Sequence, residues 1–239
     1  MIRISQLTKR FGDFAAVNNL SLDVNAGEFV GFLGPNGAGK TTTIKMMTGL
    51  FTPTSGSISL GGHDILTEPL AAKMITGYIP DQPFLYEKLT GREFLYFSAG
   101  LYRIDHAAAT RRIDELVRMF EINSWLDRRT EYYSQGMRQR IVIAASLLHE
   151  PKILIIDEPM VGLDPRSAHI VKGVFKEQAS GGSTVFMSTH VLSIAEELCT
   201  RIAIIKNGTL VFDDGMAVFQ KFKSRFDGNF ESAFLELTK

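Results

Sequence analysis

The 239-residue chain is 45% apolar and 22% charged, an ordinary globular balance with room for one large α/β domain. Lys plus Arg equals Asp plus Glu at 26 each, so no overall basicity points to nucleic acid and no such partner is expected. The single cysteine, Cys199, cannot staple the fold and is expected to pack in a reducing compartment; no run approaches a membrane span or a signal peptide, so a soluble chain is expected, with any membrane role carried by a partner.

In chain order, apolar residues first alternate at Ile2, Ile4 and Leu7, then at Val17, Leu20, Leu22 and Val24. That period predicts antiparallel strands. A turn at 25–28 leads to Phe29-Val30-Gly31-Phe32-Leu33, a buried strand by composition. A glycine-rich loop follows at 34–39, then a helix predicted from Thr41 to Leu50. Ser57 to Leu60 reads as a short strand turned by Gly61-Gly62. From 83 to 150 the pattern becomes helical. Phe94, Leu95, Phe97 and Leu101 suggest one helix. Ile113, Leu116, Val117 and Phe120 suggest a second, and Met137, Ile141, Ala144, Ala145 and Leu148 a third. Strand patterns resume at Ile153–Ile156 and Thr184–Met187. Ile202–Ile205 and Thr209–Phe212 flank Lys206-Asn207-Gly208, a hairpin signal. Residues 219–239 read as a helical tail. The organisation predicted is one domain over 1–239. Its α/β core comprises 1–82 and 151–218, with a helical insertion at 83–150 and the tail at the end.

Gly-Pro-Asn-Gly-Ala-Gly-Lys-Thr at 34–41 has the spacing of a phosphate-binding loop. Gly34, Gly37 and Gly39 let successive backbone N–H groups point into one concavity. Lys40 adds a point charge for the β- and γ-phosphates, and the Thr41 hydroxyl suits Mg²⁺. Asp157 and Glu158 end the apolar run at 153–156, where ligands bind in open α/β sheets. Asp157 can hold Mg²⁺ and Glu158 can polarise an attacking water. His190 follows the apolar run 185–189 and would sit at another strand end; alone, such a histidine is more often structural. Gln82 could offer its amide oxygen to Mg²⁺ or water.

With these residues on the page, the chain resembles the ATP-binding subunit of an ABC transporter over essentially its whole length. GPNGAGKTT, residues Gly34, Pro35, Asn36, Gly37, Ala38, Gly39, Lys40, Thr41 and Thr42, resembles the Walker A motif. ILIIDEP at 153–159 resembles Walker B, followed by a D-loop at Gly162-Leu163-Asp164-Pro165. Gln82 matches the Q-loop glutamine, and Ser188-Thr189-His190 the switch-histidine segment. Phe11 is placed like the aromatic that stacks on adenine, and Val17 joins the implied ATP-binding set. The resemblance implies a P-loop NTPase (RecA-like) core, an N-terminal antiparallel β subdomain and an inserted α-helical subdomain. It implies ATP and Mg²⁺, with Glu158, His190 and Gln82 catalytic and Thr41, Gln82 and Asp157 toward the metal.

One motif departs. Where the family's signature reads Leu-Ser-Gly-Gly-Gln, this chain has Tyr133-Ser134-Gln135-Gly136-Met137. Ser134 is still expected to cap a helix whose free N–H groups suit a γ-phosphate. This variant is similar to that of bacterial exporters for drugs, peptides or ions. The family architecture implies that Ser134, Gln135, Gly136 and Met137 face the phosphate loop of a second subunit, in a head-to-tail homodimer or heterodimer. Two ATP molecules are then sandwiched, with integral membrane permease subunits as further partners and the cytoplasmic face of the membrane as the location. Phe84, Leu85 and Tyr86 are candidates for the permease contact or for core packing. The alternative is a non-transport relative. Translation factors of that type usually carry two cassettes in one chain, and repair ATPases a long coiled coil; neither appears. A P-loop kinase would leave the signature and His190 unexplained.

Overall fold

The computed structural model describes residues 1–160 and 162–239. Strand β1 (Ile2–Phe11) buries Ile2, Ile4 and Leu7 and pairs antiparallel with β2 (Phe14–Val24) across a tight turn that sets Phe11 opposite Phe14. β3 (Phe29–Leu33) is buried at every position. It feeds the glycine-rich loop and then helix α1 (Lys40–Met47), which starts one residue earlier and ends three residues earlier than the pattern predicts. β4 (Ser55–Leu60) lies antiparallel on the other edge of β1, with the two-residue β5 (His63–Asp64) beyond it, giving a four-stranded sheet of order β2-β1-β4-β5.

After α2 (Pro69–Met74) and β6 (Thr76–Ile79) come the helices of the insertion: α3 (Gly91–Leu101), α4 (His106–Met119) and α5 (Gln135–Ser146). Each starts on a side chain that satisfies a free N–H: Thr90 in a capping box with Glu93, then Asp105, then Ser134. The chain re-enters the core as β7 (Ile153–Asp157), α6 (Pro165–Ser180), β8 (Thr184–Thr189) and α7 (Leu192–Leu198). It ends with the hairpin β9 (Arg201–Lys206) and β10 (Thr209–Gly215), then α8 (Met216–Lys223) and α9 (Phe230–Thr238). The hairpin turn, Asn207 and Gly208, has φ of 48° and 77°, the left-handed pair a two-residue turn requires.

The second sheet has order β10-β9-β3-β8-β7-β6, parallel throughout except for the antiparallel edge strand β10. Its strands read as unbroken apolar runs because both faces are covered. Val30, Phe32, Ile153, Ile155, Phe186, Ala203 and Ile205 face α1 and the antiparallel sheet. Their neighbours Leu33, Leu154, Ile156, Val185, Met187, Ile202 and Ile204 face the other layer. That second core is continuous with residues of α3 to α9. The helical insertion therefore shares a core with the sheet. The predicted tail is equally integral: α8 begins at Met216, inside the span assigned to the core, and buries Phe219 against Phe230. Among the described residues no helix is long and apolar enough to cross a membrane.

Candidate functional site

The parallel sheet delivers chemistry to one edge. The loop after β3, Asp81 and Gln82 after β6, Glu158 after β7 and His190 after β8 all border one cavity of about 580 Å³. This is the carboxyl end of the strands, where an open α/β sheet binds its ligand.

The loop is shaped by glycine for two different reasons. Gly37 and Gly39 adopt φ of 78° and 112°, which favours residues without a Cβ. Gly34 has no such dihedral; a Cβ there would collide with the Ile205 carbonyl. A Cβ at Gly39 would also stand 2.5 Å from the Ala16 carbonyl. Asn36, Gly37, Gly39, Thr41 and Thr42 border the cavity, and α1 opens onto it with its free N–H groups. Gly34, Pro35 and Ala38 do not border it; they form the back of the loop. Lys40 is buried, and its Nζ donates to the carbonyls of Gly34 (2.7 Å) and Pro35 (3.3 Å). Burial lowers the Lys40 pKa, and the charges of Glu158 and Asp157 pull it back up.

Asp157 is fully buried at the end of β7. Its Oδ1 accepts from Ser188 Oγ at 2.5 Å, while Oδ2 is buried without a hydrogen bond of ordinary geometry. Burial raises its pKa; the hydroxyls of Ser188 and Thr41 oppose that rise, and the charge of Asp81 adds to it. Tyr78 on β6 is pushed up to about 12 by burial and by Asp157 and Asp81. Glu158 has φ of 47°, an unusual backbone for a non-glycine residue. Its N–H donates to the Ser188 carbonyl at 3.2 Å. Its Oε2 meets His190 Nδ1 at 2.9 Å and accepts from the His190 N–H at 3.3 Å. The Glu158 side chain is 15% exposed and that of His190 52%, so the pair runs from the floor to the rim.

Phe11 borders the mouth of the cavity, 48% exposed. The Phe51 ring meets it edge-on at 5.7 Å, and Lys9 Nζ lies 5.1 Å from its centroid. Three cavity residues are absent from the sequence-based set: Phe14, Ala16 and Asp81. Val17, in the implied ATP-binding set, does not line the cavity. It is fully buried, because on a strand its neighbour Ala16 takes the opposite face. Asp164 also lies outside the cavity lining. It caps α6, accepting from Ser167 N (3.0 Å) and Ser167 Oγ (2.6 Å).

The signature segment forms the start of α5 as expected, with Ser134 Oγ accepting from Met137 N at 3.3 Å. Tyr133 anchors it: buried, edge-on to Trp125 at 4.9 Å, its hydroxyl between the Gly91 N–H and the carbonyls of Trp125 and Leu126. Ser134, Gly136 and Met137 do not border the cavity of their own chain; Gln135 does. Of the candidate docking residues, Phe84 and Tyr86 are exposed and stack edge-on at 5.5 Å, whereas Leu85 is core. Cys199 is buried against Gly31, and burial raises its thiol pKa.

A family model described as ABC transporter matches residues 17–161. The linearmycin resistance ATP-binding protein LnrL of Bacillus subtilis (strain 168) is 37% identical over 211 residues, which are 88% of this chain and 68% of that one. The solved structure of an ATP-binding subunit of an ABC transporter superposes with a TM-score of 0.91 at 33% identity, covering both chains completely. The dimeric structure of MJ0796, a bacterial ABC transporter cassette, superposes with a TM-score of 0.80 at 25% identity, over 90% of this chain and 99% of that one.

Proposed function

This chain belongs to the ABC transporter ATP-binding family, and we propose that it is the ATP-hydrolysing subunit of an exporter whose membrane-spanning permease is a separate partner. The observation that carries this reading is the convergence of Lys40, Gln82, Glu158 and His190 on one cavity with Phe11 at its mouth. The phosphates of ATP fit the N–H groups of the loop and of α1. Lys40, now resting on the loop's own carbonyls, turns its charge to the β- and γ-phosphates. Adenine stacks on Phe11.

The residues fit Mg²⁺. The buried Oδ2 of Asp157 has no ordinary hydrogen bond, the Thr41 hydroxyl is close enough to lower the Asp157 pKa, and Gln82 borders the same cavity. Asp157, Thr41 and Gln82 would hold the ion. Bound there, it would neutralise charge on the transferring phosphoryl group. Glu158 orients the attacking water. Its carboxylate is held by His190, so turning His190 toward a γ-phosphate frees Glu158 for water. That links activation to the third phosphate.

Ser134 is exposed at a helix start and does not border its own chain's cavity. We assign it to the ATP held by a second ATP-binding subunit, the same chain or a homologue, in a head-to-tail dimer. The dimeric cassette above is a precedent for such an association, and the resistance relative's name favours export. Phe84 and Tyr86 offer an exposed aromatic pair for a permease at the cytoplasmic face of the membrane. The test is Glu158→Gln, which keeps side-chain size and removes the carboxylate. The variant should bind MgATP, turn over on the order of 10²-fold or more slowly and elute as an ATP-dependent dimer. Wild-type turnover would remove Glu158 from the chemistry.

A further inference from the structure

Gln135, where the signature departs from the family pattern, is built into a contact inside the chain. Its side-chain amide lies against the backbone of Gly162: a Cβ at 162 would overlap Cδ, Nε2 and Oε1 of Gln135. Gly162 has φ of 75°, which also favours glycine. The next residue of α5, Gly136, backs onto the same stretch. A Cβ there would stand 3.4 Å from both Asp164 Oδ2 and Ser167 Oγ. Asp164 and Ser167 are themselves fixed by the cap of α6. The first turn of α5 and residues 162–167 therefore form one packed corner. Gln135 also borders the cavity that holds Lys40, Glu158 and His190. Glu158 stands four residues before Gly162, at a backbone dihedral that needs support from its surroundings.

We infer that Gln135 is a positioning residue for Glu158: its amide clamps the Gly162 backbone and ties residues 162–167 to the signature helix of the same subunit. The inference rests on the reading that Glu158 handles the attacking water. A glycine at 135, as in the usual signature, has no side chain to make this clamp. The clamp means that displacement of the α5 start, the element assigned to a second subunit's phosphate, is felt by the segment that carries this subunit's Glu158.

The test compares Gln135→Ala, Gly162→Ala and the double variant in the full chain. Hydrogen exchange of the nucleotide-free protein is followed for the amides of 162–167, with the β1–β2 hairpin as reference, beside the kinetics of ATP hydrolysis. Gln135→Ala should speed exchange in 162–167 and leave the hairpin unchanged. It should lower kcat on the order of tenfold, the scale of a small misplacement of a reacting group, with KM within about twofold. Gly162→Ala should lower kcat more, because its new Cβ collides with the Gln135 amide and pushes it aside, and because a φ of 75° is strained for alanine. In the double variant that clash is gone, so the loss should be smaller than the product of the single losses. Unchanged exchange at 162–167 in Gln135→Ala, or single losses that multiply in the double variant, would overturn the clamp. A wild-type chain without ATPase activity would overturn the reading of Glu158, while the exchange comparison would still decide whether Gln135 holds the segment.

Discussion

Phe11→Ala separates the base-binding part of the site from the phosphate-binding part. Phe11 ends β1 opposite Phe14, half exposed, supported by the edge of Phe51 and by Lys9. Its removal deletes a stacking platform and leaves the loop at 34–42 untouched. Base–aromatic stacking contributes about 1–3 kcal/mol, which corresponds to roughly 5- to 150-fold in Kd. Phe14, 64% exposed, borders the same cavity and can take up part of the stacking, so the lower half of that range is expected. The cost in stability should be small, about 1 kcal/mol for the lost ring pair, or a few degrees in Tm. Calorimetric titration of ATP and of inorganic tripolyphosphate gives the two parts separately. ATP should weaken and tripolyphosphate should not. Unchanged ATP affinity would make Phe11 a packing residue and move the adenine platform to Phe14. Equal weakening of both ligands would mean that the substitution disturbs the loop.

Lys40→Ala and Ser134→Arg should each abolish ATPase activity, yet their mixture should recover part of it, because one site of the mixed dimer joins an intact loop to an intact signature. Persistent inactivity, with mixed dimers shown by mass measurement, would count against the trans assignment of Ser134. His149 stacks on Tyr102 at 3.6 Å with Nε2 against the Thr76 carbonyl, and burial pushes its pKa down to about 4. The folded chain thus keeps His149 neutral where the unfolded chain, at about 6.5, takes up a proton. The resulting stability is present above pH ~6.5 and lost as pH falls toward 4, on the order of 2 kcal/mol after allowing for partial solvent screening. Thermal melts at pH 7 and 4.5 should show this loss, and His149→Phe should reduce it; an equal pH dependence in the variant would remove His149 as its source. Cys199, buried with its pKa raised, should resist a thiol reagent in the folded chain and react at once in denaturant. Labelling at the same rate in both would contradict its burial.

The parts of the site that were legible in the sequence are those whose chemistry demands a fixed local pattern. The glycine spacing of 34–39 is one, since two of its glycines need left-handed dihedrals and a third a close backbone approach. The five-residue apolar strand ending in Asp157 is another. Asp81 is not legible in the sequence because β6, Thr-Gly-Tyr-Ile, is four residues long and mixed in character and signals no strand end. Helix α6 lies outside the predicted elements although its signals are present: Asp164 as cap, Pro165 in the first turn, and Ile170, Val171, Val174 and Phe175 along one stripe. The β2 strand shows how the two faces divide: Ala16 meets the cavity and its neighbour Val17 the core, as a period of two requires. Strands such as Ile153–Asp157 carry no such information at all, because every position is apolar or buried and the two faces differ only in what covers them.

Contacts between distant segments are the least legible, and the most consequential for mechanism. Nothing near Gln135 in sequence announces Gly162, and nothing near Gly162 announces Gln135. Their meeting depends on how α5 packs against α6, through buried residues of the core they share. The substitution of Gln135 for the family's glycine reads, in sequence, as a loss of backbone freedom. In the fold Gln135 keeps the helix start that Ser134 caps and adds a side chain that reaches the segment after Glu158. A departure from a motif can therefore relocate a constraint from the backbone of one segment to the contact between two, and only the folded geometry tells these cases apart.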